Sequence, residues 1–173
     1  MYIQRTIEWI QAIVIPLNLC PFAKREMDNN RVRIEMSLAT TFEEGIQSLI
    51  QEIEHLNATP STGTTLLLLP YFLDDFLTYL DFVDLANEIM VQIGQQNVYQ
   101  LATFHPKYQF HGTHVDDVTN YTNRSPYPML HLLREDMLDS AIAYYGNTES
   151  IPANNIRCLQ RLGFEGLSKI LPK

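Results

Sequence analysis

Four of the chain's five histidines, His105, His111, His114 and His131, fall between Phe104 and Glu135, beside Asp116, Asp117, Arg124, Arg134 and three prolines. Imidazoles titrate near neutral pH and guanidiniums hold anions. A segment this dense in both exceeds what a connection between two elements needs, and it marks 104–126 as a long functional loop. His105 precedes Pro106, which biases its backbone extended and holds its ring at a fixed angle. His105 and His131 are the candidate general acid and base. Glu135, four residues beyond His131, would orient that ring on a helix. Arg124-Ser125-Pro126 has the form of a helix start, where free N–H groups, the dipole and a guanidinium make an anion cradle, with Arg134 on the same helix.

Two further chemistries are open to these residues. His105 with Asp116 or Asp117, and with His111 and His114 nearby, offers imidazole and carboxylate donors for a divalent metal, although no HExxH or CxxC spacing is present. Cys20, just before Pro21, would feel the dipole of a helix starting there, which makes it a candidate nucleophile or thiol sensor. The plain alternative is a structural wrap, in which these histidines and arginines satisfy backbone carbonyls that would otherwise be buried unpaired.

The rest of the chain must position these groups. Ile3, Ile7, Ile10 and Val14 recur at helical spacing, so residues 2–15 read as an amphipathic helix ended by Pro16. Val32, Ile34, Met36 and Leu38 alternate with polar residues, the pattern of a half-buried strand. Thr41 and Glu44 form a capping box opening a helix with Ile46, Leu49, Ile50, Ile53 and Leu56 on one face. The apolar run 64–70 suits a buried strand, Asp74 or Asp75 starts a helix ending at Gly94, and 98–104 is a third strand. Ser125 to Ala141 reads as a helix through Leu130, Leu133, Met137 and Ala141, and a shorter helix lies near 153–162.

This alternation gives a single α/β domain over residues 1–173: a small, largely parallel sheet of about three core strands with helices packed around it. In such sheets ligands bind beyond the carboxyl ends of the strands. Thr40 and Thr41, then Tyr71, Asp74 and Asp75, then His105, follow the three strands and should converge on one edge. The net charge of −8 argues against non-specific nucleic-acid binding. No stretch reaches the roughly 18 apolar residues of a membrane span, and two cysteines make no secreted disulfide framework, so a cytoplasmic protein is expected.

Cys20-Pro21-Phe22-Ala23, the strand Thr65–Pro70, the run from Phe104 through Phe110, and Asn123 through Glu135 resemble a bacterial family called domain of unknown function 1415, in the same order over nearly the whole chain. The resemblance implies a motif pattern but no activity, cofactor or substrate. Cys20, His105, Tyr108, Asp116, Asp117, Asn120, Arg124, Ser125, His131, Arg134 and Glu135 coincide with its motif positions; His111 and His114 do not clearly do so. The expectation is therefore an enzyme binding a small phosphate or carboxylate metabolite. Arg124, Ser125, Arg134, Tyr108 and Asn120 would hold the substrate, and His105, His131, Glu135 and Cys20 would carry the chemistry. The alternatives are a non-catalytic module binding a ligand or partner, and a hydrolase dependent on a divalent metal at His105, Asp116 and Asp117.

Overall fold

A computed structural model describes residues 1–136 and 148–172. Helix α1 (Tyr2–Trp9) continues directly into a π-helical turn, Ile10–Val14, in which Ile15 N–H reaches back to Ile10 O at 2.9 Å. Such widened turns shift the side chains of one face relative to a regular helix. Asn18, at φ 51°, then turns the chain through Leu19 and Cys20 into a short helix α2 (Ala23–Asp28). A helix thus does start just after Cys20 and Pro21, at Ala23.

Strand β1 (Val32–Met36) leads to α3 (Phe42–Ala58), β2 (Thr64–Leu68), α4 (Phe76–Gln92) and β3 (Tyr99–Phe104). The helix starts follow their caps. Thr41 Oγ1 accepts from Glu44 N–H at 3.3 Å, while the Glu44 carboxylate reaches past the expected position to Thr40 N–H at 2.7 Å. Asp75 caps α4 by accepting from Thr78 N–H at 2.9 Å.

The sheet differs from expectation. The segment that reads as a helix from Ser125 contains a strand, β4 (Met129–Arg134), lying between β2 and β3 in the order β1-β2-β4-β3. It runs antiparallel to both neighbours, and only β1 and β2 pair in parallel. The sheet thus has four strands rather than three, and most of its pairings are antiparallel. Residues 137–141, the rest of the expected helix, lie outside the described residues. A central strand covered on both faces is apolar on both, so Met129, Leu130, Leu132 and Leu133 mimic a helical stripe.

Helices α3 and α4 cover one face, over a core that includes Leu67, Tyr79, Phe82, Leu130 and Leu132. The other face packs Leu66, Leu68 and Met129 against Trp9, Ile13, Leu159 and Leu167. The last two belong to α5 (Ile151–Ile170), which bends where Gly163 takes φ 63°. Among the described residues no helix is long and apolar enough to cross a membrane.

Candidate functional site

β1, β2 and β3 all run the same way, so the segments following β2 and β3 do meet. His105 is fully buried there. Its Nδ1 accepts from Lys107 N–H at 3.0 Å, which leaves Nε2–H to donate to Leu73 O at 2.8 Å. Lys107 Nζ donates to Asp74 O at 2.9 Å, and the ring lies 5.2 Å from Phe76 and 5.0 Å from Tyr79. Burial pushes the His105 pKa down, only partly opposed by the Leu73 carbonyl. Both ring nitrogens are therefore committed to holding two loops together, and neither is available to a substrate or a metal.

The expected metal set is not gathered. Asp116 is exposed beside His114, and Asp117 caps the 3₁₀ turn Val118–Thr122 through Thr119 N–H at 2.8 Å. Among the described residues no three His, Cys, Asp or Glu side chains converge as a metal site.

The loop residues have structural employment too. Asn120 is fully buried; its Oδ1 accepts from Phe110 N–H and Thr113 Oγ1, and its Nδ2 donates to His114 O. Tyr108 packs on Phe76 and Phe110, with its hydroxyl 3.3 Å from Thr103 Oγ1. No helix starts at Ser125. Its hydroxyl donates to Tyr127 O at 2.6 Å, so the expected helix-terminus anion cradle is corrected to a bonded turn.

Arg134, expected on substrate, instead finishes α3. Its guanidinium donates to Leu56 O, to Thr59 O and, at 3.1 Å, to Thr62 O, and it lies over the Tyr99 ring at 5.5 Å. Leu56 O and Thr59 O also accept the N–H groups of Thr59 and Thr62, so the guanidinium adds further bonds to the turn that leaves α3. Arg134→Leu should lower the unfolding free energy by about 2 kcal/mol in a urea titration, since Thr62 O loses a charged donor and Leu56 O and Thr59 O each lose their second one. Glu135 is one residue past β4, with its N–H on Val98 O. Four residues of extended chain place it about 13 Å along from His131, so the expected helical pair does not form.

His131 has a different setting. It lines a cavity of about 240 Å³ between the sheet and the α1–α2 segment, walled by Ile10, Val14, Val32, Leu66, Phe104 and Leu133. Thr64, Cys20 and Glu26 are the polar members, with Arg134 at the border. Thr64 has one hydroxyl proton and gives it to Leu132 O. The 2.7 Å contact between Thr64 Oγ1 and His131 Nε2 therefore has the ring as donor. That fixes the tautomer and leaves Nδ1 an acceptor without a partner among the described residues. Burial lowers the His131 pKa to about 4, so the ring is neutral at pH 7.

Cys20 borders the same cavity as a thiol rather than a thiolate. Burial raises its pKa more than the N–H groups of Phe22 and Ala23 lower it. The Glu26 carboxylate faces Arg31 at 3.4 Å. The cavity sits over Val32, Gly63 and Thr64, where β1 and β2 begin, rather than beyond the carboxyl ends of the strands.

Arg124 belongs elsewhere. Its Nε donates to Tyr108 O and its Nη2 to Val115 O, with the guanidinium 4.8 Å above the Tyr121 ring. It lines a separate cleft with Arg5, Ser125 and Tyr127. Trp9, buried and 5.7 Å from Phe104, is a wall of both spaces.

A family model described as "Protein of unknown function (DUF1415)" matches residues 1–169, nearly the whole chain. The chain belongs to this family. No curated protein and no solved structure matches it. For this DUF1415 chain, then, the motif around Cys20 and the motif containing His131 meet at one cavity, while His105, Asn120 and Arg134 brace the fold. Sequence reasoning missed Thr64 and Trp9. The available signals were two threonines opening an otherwise apolar strand, and the single tryptophan of the chain on an amphipathic helix.

Proposed function

We propose that this protein binds a small, largely apolar molecule carrying a hydroxyl or N–H group, in the cavity between the sheet and α1. One observation carries this reading: His131 presents an acceptor, Nδ1, that no described residue partners, in a space walled by aliphatic and aromatic side chains. The ring is half-buried and Nδ1 is not sealed within the protein, so a ligand donor can reach it from the cavity without displacing a protein partner. A mostly apolar pocket with few polar groups that fix orientation is the usual form of a small-molecule site.

The enzyme acting on a small anion by histidine acid–base chemistry has less behind it. Its arginines and its histidines fall in different places, and a neutral His131 is a weak base toward a thiol whose pKa is raised. Catalysis remains the second reading for one reason: Cys20 and His131 border the same cavity.

Trp9 is the only tryptophan, so its emission reports directly on the cavity. Phenol should change that emission saturably and raise the thermal midpoint, whereas toluene, of similar shape without a donor, should bind several-fold more weakly. His131→Leu should leave the empty protein at least as stable and erase the preference for phenol. Equal phenol binding by the leucine variant would remove His131 from the site, and no saturable change in wild type would sink the proposal.

A further inference from the structure

We infer that the cleft between α1 and the Arg124 turn is a second binding site, built for the carboxylate of a small aromatic acid. The cleft has a volume of about 240 Å³ and carries two guanidiniums, Arg5 and Arg124. No carboxylate of the described residues pairs with either. In a chain with net charge −8, two unneutralised arginines at one opening are not explained by surface charge balance.

The geometry of Arg124 is fixed before any ligand arrives. Nε and Nη2 are tied to the carbonyls of Tyr108 and Val115, and Tyr121 supports the plane of the guanidinium, which leaves Nη1 without a partner among the described residues. A donor held in place binds its acceptor with less loss of side-chain freedom. Arg5 on α1 is exposed and adds the second charge.

The remaining walls select the rest of the ligand. Trp9, Tyr121, Tyr127, Pro106, Pro126 and Pro172 supply flat, rigid surface suited to an aromatic ring. The Ser125 hydroxyl is already spent on Tyr127 O and offers no donor. Two guanidiniums without a helix N-terminus or further donors match a planar monoanion better than a phosphate dianion, which carries more acceptor atoms and charge.

The cleft shares Trp9 with the His131 cavity but none of its polar groups, so the Arg5 and His131 variants tell the two sites apart. The test titrates wild-type protein with benzoate, with its neutral isostere benzamide and with phenyl phosphate, following Trp9 emission and amide shifts of residues 121–127. Benzoate should bind about tenfold more tightly than benzamide, and weaken with salt, because the charge is the difference between them. Arg5→Gln, which breaks no bond within the protein, should lose most of that advantage. Arg124→Gln should do the same if its turn stays folded. His131→Leu should leave benzoate unchanged. Equal binding of benzoate and benzamide, tighter phenyl phosphate, or an unaltered Arg5→Gln variant would each overturn the assignment. If phenol still binds in those cases, the cavity reading stands.

Discussion

His105→Ala should lower the unfolding free energy by about 4 kcal/mol while leaving phenol and benzoate binding unchanged in whatever protein remains folded. The ring is fully buried between Phe76 and Tyr79, so its removal opens a void in a close-packed region. It also strips Leu73 O of its donor and Lys107 N–H of its acceptor. A truncation of buried volume alone costs about 2–5 kcal/mol, and unpaired backbone groups add to it. Urea titration at pH 7 gives the stability, and Trp9 emission gives the ligand affinities on the same sample. A variant that kept its stability but lost ligand binding would show that His105 works at a site rather than in the scaffold.

Acid should weaken the protein well above the range in which carboxylates titrate. An unfolded imidazole takes up a proton near pH 6.5, whereas His131 in the folded protein does so only near pH 4. Between these values the unfolded chain binds more protons, so stability rises with pH through the window and falls as pH is lowered through it. Moving an imidazole from about 6.5 to about 4 corresponds to about 3 kcal/mol, present in full above the upper value and gone below the lower. His105, also lowered, acts in the same direction. Glu44, Asp75 and Asp117 have lowered pKa values, and their contribution disappears as pH falls below the ordinary carboxylate range. Unfolding free energies between pH 5.5 and 7, above the carboxylate range, therefore report on the histidines. His131→Leu should flatten most of the slope, and an unchanged slope would place the ring in a hydrated setting instead.

What was legible in the sequence was local. Thr41, Glu44 and Asp75 cap their helices within a few residues of chain, and β1 shows its alternation because one strand alone creates it. β4 was not legible because its character is set by distant partners. Leu66 and Ala102 flank His131 from two other strands, and helices cover both faces, so the run Met129 to Leu133 carries no period-two signature. The same reason explains the site. His131 and Cys20 stand out by type, but their meeting at one cavity depends on a sheet order that the sequence pattern placed otherwise. Arg134 reads as a substrate ligand in the sequence because its carbonyl partners, Leu56, Thr59 and Thr62, lie more than seventy residues earlier.

The position of β4 also governs the order in which this molecule can be assembled. β2 and β3 share no hydrogen bonds with each other; the strand that joins them is made last. A chain emerging from the ribosome therefore carries two unsatisfied strand edges until residue 134 is free, and such edges invite pairing with other chains. Closing the sheet then requires contacts between Thr64 and Leu133, and between Leu68 and Met129, each spanning more than sixty residues. Loop closure of that length slows folding, so refolding from urea should be slow compared with helical proteins of the same size. Truncation before Met129 should yield a chain that aggregates rather than folds, whatever the quality of its first three strands.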